Sequence, residues 1–190
     1  MKKNMTKTNR MVKIAMLSAI AAVIMYLEFP LLPTFPFLKA DLSDIPALIG
    51  AFSLGPAAGV IIEAFKVVLK LIIKGTSSGF VGDFANFVIG ASFVLPASLI
   101  YLKRKTFNRA LIAMAVGIVS MSFVGVLANY FVFAPLYGLP KEQLGAYIIS
   151  GVLPFNLLKG VVISVGTMAI YKKVAPVITG ESVLFKNKIA

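Results

Sequence analysis

The sequence predicts an all-α integral membrane protein, folded as a compact bundle of six transmembrane helices with cytoplasmic N and C termini. Of its 190 residues, 59% are apolar and 14% are charged, and the mean hydropathy is +0.93. Soluble domains are about half apolar and about a quarter charged. The apolar runs are continuous rather than alternating, which favours spanning helices over a β-barrel.

Breaks between the apolar runs divide the chain into elements of one membrane domain. A basic tail covers residues 1–13, and a polar tail covers 172–190. The predicted transmembrane helices cover residues 14–29, 45–54, 57–73, 80–102, 109–133 and 148–171. Extracellular loops are predicted at 30–44, where three prolines disfavour a helix, and at 134–147.

The positions of the basic residues predict the orientation. Of the 19 lysines and arginines, 13 lie in the two tails and in the turn at 103–109, which six helices place on one side. Lysine and arginine accumulate in cytoplasmic segments of membrane proteins. These basic clusters beside apolar runs also explain the net charge of +12, so we expect no nucleic-acid partner.

Polar residues on three predicted helices converge at one depth near the outer surface. Asp83 and Asn86 begin the fourth helix, Asn129 ends the fifth, and Asn156 and Lys159 begin the sixth. Polar groups at such depth are costly, so together they predict a binding pocket that opens outward. Taken alone, Asn129 is better explained as a hydrogen bond between helices.

The third predicted helix carries Glu63, Lys66 and Lys70 at spacings of three and four residues, which place them on one face. We expect an internal ion pair of Glu63 with one of these lysines. Asp83 is expected to neutralise Lys70 or Lys74 in addition to lining the pocket.

The residue types of the pocket predict a neutral, partly aromatic ligand. Side-chain amides match the donor and acceptor of an imide edge. Flat apolar contacts are expected from the aromatic residues Phe80, Phe35, Phe37, Phe84 and Tyr130. All three arginines lie on the predicted cytoplasmic side, so the pocket lacks a bidentate clamp for phosphate or carboxylate.

The sequence favours a binding subunit that depends on a partner. Cysteine and histidine are absent, so we expect no metal site, no cofactor and no catalytic residue. The glycine-rich run at 75–79 lacks the lysine of a phosphate-binding P-loop, so the chain cannot power transport by itself. Ala15, Ala19 and Ala22 predict a docking face on the first helix, with internal packing as the alternative.

Three runs resemble one family: LKADLSDIPALIGAFSLGPAAGVIIE, KGTSSGFVGDFANFVIG and FNLLKG. Together they resemble the riboflavin-binding S components of energy-coupling factor (ECF) vitamin transporters, over essentially the whole chain. The resemblance implies a plasma-membrane protein that binds riboflavin near its extracellular end. It also implies that the alanine motif contacts a transmembrane coupling subunit, which works with two ATPase subunits.

The resemblance further implies ligand contacts at particular positions. Asn129, Asn156 and Lys159 would hold the isoalloxazine ring. Further contacts would come from the loop and the fourth helix: Leu38, Lys39, Ala40, Asp41, Asp83 and Asn86. The chain departs from the family near the third helix, where Lys66-Val67-Val68-Leu69-Lys70 replaces K-N-x-L-H.

Three alternatives stay open from the residues. The chain could be an S component for another vitamin or a related small heterocycle. It could be a membrane-embedded enzyme that uses Asp83 or Glu63 as acid or base, although no histidine or cysteine accompanies them. It could also be a structural subunit that binds no small molecule.

Overall fold

The computed structural model describes residues 6–35, 38–76 and 79–179, most of which are helical. The helices are α1 (Lys7–Met25), α2 (Asp44–Leu54), α3 (Pro56–Lys74), α4 (Val81–Lys103), α5 (Phe107–Leu136) and α6 (Lys141–Thr179). Two short antiparallel strands, β1 (Phe29–Pro30) and β2 (Lys39–Ala40), connect α1 to α2. Helices α1, α4, α5 and α6 are long and apolar enough to cross a membrane, which confirms the predicted helical membrane class.

Helix α2 forms the centre of the bundle. Nine of its 11 residues are buried, and it packs against α1, α3, α4 and α6. In the half of the bundle near its C-terminal end, Phe52 stacks on Tyr101 of α4 at a ring-centroid distance of 4.3 Å. Tyr171 of α6 meets both rings edge-on at 5.7 Å. A helix that is apolar on every face is stable only when other elements surround it.

The junction between α2 and α3 depends on glycine and proline. Gly55 has a φ of 108°, a conformation that residues with a Cβ rarely adopt, and it ends α2. Pro56 then begins α3, where its missing N–H costs nothing and its fixed φ suits a helix. Gly59 allows α2, α3 and α4 to approach closely, because a Cβ there would lie 2.5 Å from Ala51 Cβ and Val94 Cγ1.

Basic residues of α1 bind the C-terminal ends of two other helices. The Arg10 guanidinium donates to the Leu54 carbonyl at 2.9 Å, and the Lys13 ammonium donates to the Ile178 carbonyl at 2.6 Å. Cations are stabilising near a helix C-terminus, where carbonyl groups lack helical partners. The start of α1 and the ends of α2 and α6 therefore lie at the same end of the bundle.

Helices α5 and α6 each contain a π-helical turn, at Asn129–Phe133 and Ile148–Val152. Each turn ends two residues before a proline, Pro135 or Pro154. A proline ring clashes with the carbonyl four residues earlier and provides no N–H for it. That carbonyl lies inside the π turn in both cases, which accounts for the widened helix. The two turns contact each other beside the cavity described below.

The helix boundaries differ from those expected at the membrane surfaces. Helix α1 begins at Lys7 and ends at Met25, whereas the predicted span was 14–29. Helix α6 extends from Lys141 to Thr179 and so includes parts of the predicted loop 134–147 and tail 172–190. Hydropathy locates the stretch that fits the hydrocarbon layer, but backbone hydrogen bonding continues beyond it. Phe37, residues 77–78 of the glycine-rich run and the outer parts of both tails lie outside the described residues.

Candidate ligand-binding site

A cavity of about 630 Å³ lies at the end of the bundle where α1 and α3 end and α4 begins. Its wall is formed by the end of α1, the β2 segment, α3, α4, α5 and α6. Sites for small ligands have volumes of about 300–1,000 Å³ and combine apolar walls with a few placed polar groups. The cavity thus has the size of a small-molecule site.

Eight of the ten predicted binding residues line this cavity: Asn129, Asn156, Lys159, Asp83, Asn86, Leu38, Lys39 and Asp41. Ala40 does not, because it pairs with Phe29 in the β-ribbon and is buried there. Phe80 does not either, because it precedes α4 with its side chain 63% exposed. The structure therefore assembles most of the predicted set from α4, α5, α6 and the first loop.

Both polar atoms of the Asn156 side chain, which lines the cavity, lack hydrogen-bond partners in the described part of the chain. This side chain is 1% exposed. Gly125 of α5 provides the space for this amide, since a Cβ at that position would clash with it. Buried amides are nearly always hydrogen-bonded, and an unpaired one costs about 1–3 kcal/mol. The described part of the chain therefore leaves the hydrogen-bonding capacity of this amide unused.

Lys159 belongs to a network of buried charges beneath the cavity. Its ammonium lies 3.0 Å from Asp44 Oδ2 and 3.9 Å from Asp41 Oδ2. Asp44 also pairs with Lys66, whose ammonium lies 2.6 Å from Glu63 Oε2. Such charges are tolerated at depth because they compensate one another. The expected pair of Glu63 with Lys66 is present, and Asp44 joins it to the cavity wall.

Asn86 and Asn129 have protein partners. The Asn86 amide donates to Asp41 Oδ2 at 3.2 Å, while the Asn86 oxygen is buried without a hydrogen-bond partner among the described residues. The Asn129 amide donates to the Gly125 carbonyl at 2.8 Å, and its oxygen accepts from the Tyr147 hydroxyl at 3.4 Å. Asn129 thus holds the structure together as well as lining the cavity.

Asp83 neutralises Lys70, one of the two lysines predicted from the sequence as its partner. The Lys70 ammonium lies 2.5 Å from Asp83 Oδ1, and the Thr76 hydroxyl donates to Asp83 Oδ2 at 2.7 Å. Both members of the ion pair are buried. This pair attaches the end of α3 to the start of α4 at the cavity wall.

The cavity mouth contains a second, more exposed group of charges. The Glu28 carboxylate accepts from Lys39 of β2 at 3.4 Å and from Lys74 at the end of α3 at 3.1 Å. The Lys74 ammonium also lies 5.2 Å from the centre of the Tyr26 ring. We did not predict Glu28, since an isolated acid between an apolar run and a proline-rich loop gives no distinctive signal.

The apolar wall differs from the expected set of aromatic residues. Phe133, Tyr137, Tyr147 and Phe155 line the cavity, whereas Phe84 and Tyr130 are about half exposed away from it. Phe133 and Tyr137 lie four and eight residues after Asn129, whereas Tyr147 lies nine residues before Asn156 with the π turn of α6 between them. That turn shifts the helical face, so regular spacing from Asn156 does not locate Tyr147. The hydropathy pattern alone carries no signal for that shift.

The predicted docking face on α1 is divided by the packing. Ala15 and Ala19 are exposed together with larger apolar side chains such as Met16 and Val23. Ala22 is 2% exposed and packs inside the bundle. Ala22 therefore packs internally, as the alternative from the sequence stated, and is not accessible to a partner on this surface.

Comparison with known proteins gives the family. A family model described as "ECF transporter, substrate-specific component" matches residues 9–171. Riboflavin transporter RibU of Staphylococcus aureus (strain TCH60) is 37% identical over 180 residues, which is 92% of this chain and 94% of that protein. Riboflavin transporter FmnP of Bacillus subtilis (strain 168) is 37% identical over 179 residues, covering 90% of this chain and 94% of that protein.

A solved structure has the same fold. It is described as the S component of a bacterial ECF transporter, and it matches with a TM-score of 0.80 and 36% sequence identity. The match covers 91% of this chain and 99% of that chain. The protein belongs to the family of substrate-specific components of ECF transporters. It is a multi-pass membrane protein that acts as a transporter component and not as an enzyme.

Proposed function

We propose that this chain captures riboflavin from outside the cell, as the substrate-specific subunit of an ECF-type importer. The observation that carries this proposal is the cavity of about 630 Å³ whose floor holds the unpaired amide of Asn156. An amide offers an adjacent donor and acceptor, which match the imide edge of a flavin ring. The two curated relatives described above are named riboflavin transporters.

We propose that the residues lining the cavity contact the ligand: Asn129, Asn156, Lys159, Asp83, Asn86, Leu38, Lys39 and Asp41. In this assignment Asn156 makes the main hydrogen bonds to the ring, since its polar atoms have no competing protein partner. Phe133, Tyr147 and Phe155 supply apolar contact.

We also infer six membrane crossings with both termini in the cytoplasm. The start of α1 and the end of α6 lie at one end of the bundle, bound together through Lys13, and the basic turn at 103–109 follows α4. Lysine and arginine favour the cytoplasmic side. The cavity then opens to the outside, because α1 and α3 end there. The polar side chains of α3 face the bundle interior, where Glu63 and Lys66 are fully buried, which suits a crossing helix.

The proposed partners are a transmembrane coupling subunit and two ATPase subunits. The described residues contain no phosphate-binding P-loop, so ATP hydrolysis has to come from other chains. The exposed surface of α1 around Ala15 and Ala19 suits close approach of another helix.

A binding assay on the purified chain tests the function. Riboflavin fluorescence should be quenched on addition of the protein in detergent, and the ligand should raise the thermal unfolding temperature. At a riboflavin concentration 100 times Kd, the ligand adds about 2.7 kcal/mol to the free energy of unfolding. If riboflavin fluorescence is not quenched and a different vitamin raises the unfolding temperature, that vitamin is the ligand and riboflavin is not. Absence of any saturable binding would refute the capture function.

A further inference from the structure

The charges around the cavity suggest how it distinguishes neutral from phosphorylated ligands. Three described lysines line the wall, and each is paired with a carboxylate. Lys159 lies 3.0 Å from Asp44, and Lys70 lies 2.5 Å from Asp83. These two pairs are buried, so neither lysine is available to compensate a phosphate without leaving a carboxylate unpaired.

Glu28 and Lys39 form the partly exposed part of the wall, where a charged group could stay hydrated. Lys74 pairs with Glu28 from outside the cavity lining. The side chains of Glu28, Lys39 and Lys74 are 23%, 45% and 38% exposed. A phosphate monoester carries a charge of about −1.5 to −2 at pH 7, and its burial without compensation is very costly. A flavin that carries a phosphate on its flexible chain would therefore place that phosphate at the mouth, beside Glu28.

Glu28 affects an incoming phosphate in two ways. Its carboxylate repels the phosphate directly, and it engages both ammonium groups that would otherwise attract one. Among the described residues of the wall it is the partly exposed carboxylate, since Asp41 and Asp83 are each 3% exposed. We propose that Glu28 is a specificity-determining residue that makes the cavity select riboflavin over its phosphate ester, FMN. This inference rests on the proposed riboflavin function.

Replacing the carboxylate by a neutral isostere tests the proposal. Glu28→Gln should leave Lys39 and Lys74 free to bind a phosphate, so the affinity ratio of FMN to riboflavin should rise about tenfold at low salt. The ratio is the diagnostic quantity, because a loosened loop would change the affinity for both ligands in parallel. The gain should shrink as salt rises from about 20 to about 500 mM, since exposed charges are screened.

Two further variants sharpen the experiment. Glu142 lies in the first turn of α6, is exposed and does not line the cavity. Glu142→Gln should therefore leave the FMN-to-riboflavin affinity ratio unchanged. Adding Lys39→Gln and Lys74→Gln to Glu28→Gln should remove most of the gain for FMN, because both freed ammonium groups are then absent. Both ligands can be measured by flavin fluorescence quenching, with thermal unfolding to verify that each variant is folded.

The possible results separate this inference from the proposed function. If the unmodified chain binds no riboflavin, the proposed function fails. If riboflavin binds but Glu28→Gln leaves the ratio within twofold of the unmodified chain, Glu28 does not determine specificity. An equal rise in the Glu142→Gln variant would also overturn the inference, because it would indicate an effect of total charge.

Discussion

Replacement of Asn156 by leucine should have opposite effects on binding and on the stability of the empty protein. The side chain is buried at the cavity floor, and its amide has no partner among the described residues. Removing an unpaired buried amide relieves about 1–3 kcal/mol of desolvation cost. We expect Asn156→Leu to raise the free energy of unfolding of the empty protein by about 1 kcal/mol once imperfect packing is included. For a chain of this size that corresponds to about 2–4 °C.

Riboflavin binding should weaken in the same variant. The lost hydrogen bonds leave the imide edge of the ligand unpaired, which costs about 1–3 kcal/mol and raises Kd by about 5- to 150-fold. The empty protein can be assayed by thermal unfolding in detergent and the affinity by fluorescence quenching. Most substitutions destabilise a protein. A variant that gains stability when empty but loses affinity for riboflavin is therefore the diagnostic result.

Asn129→Leu is the matched control. Its amide donates to the Gly125 carbonyl at 2.8 Å and accepts from Tyr147, so leucine there removes existing hydrogen bonds. We expect a loss of about 1 kcal/mol in the stability of the empty protein. If Asn156→Leu destabilises the empty protein as much as Asn129→Leu does, the argument from the unpaired amide is wrong. Unchanged riboflavin affinity in Asn156→Leu would remove this residue from the site.

The other ion pairs and the α1 surface give three further predictions. Asp83→Lys should destabilise the protein by placing two buried ammonium groups together, and combining it with Lys70→Asp should recover at least half of the lost unfolding temperature. Asp44→Asn should lower the free energy of unfolding by about 3–5 kcal/mol, measured by denaturation, because two buried lysines lose a shared carboxylate. Ala19→Leu should reduce co-purification with the coupling subunit but preserve riboflavin quenching. The control Val12→Leu should preserve both co-purification and quenching. An equal loss of co-purification in the two variants would argue against a small-residue contact.

Much of the site could be predicted because it consists of polar residues in apolar surroundings. Asn156 and Lys159 are three residues apart on a helix, which directs both to one side, and both line the cavity. The same reasoning connected Asp83 with a lysine of the third helix, which the structure shows to be Lys70. A buried charge requires a partner wherever it lies, so its type and depth carry information that a surface charge does not.

The remaining features depend on packing that spacing does not encode. Glu28 and Lys74 are 46 residues apart in sequence and meet only in the folded mouth. Ala22 belongs to the same alanine series as Ala15 and Ala19, yet it lies on the buried side of α1. The π turn before Pro154 changes which residues of α6 share a face. Each of these outcomes is decided by tertiary contacts rather than by local sequence.

The size and position of the cavity follow from the shortness of α2. Its 11 residues span about 16 Å, whereas the hydrocarbon layer is about 30 Å thick. Pro30 and Pro33 disfavour a helix in the segment before α2, so the chain forms a β-ribbon and loop there. Helix α2 consequently begins inside the bundle at Asp44, whose carboxylate lies in the favourable first turn and pairs with lysines from α3 and α6. In the proposed topology the cavity occupies the depth that a longer second helix would fill. The same buried carboxylate then neutralises Lys159 on the cavity wall, which suits a ligand without charge.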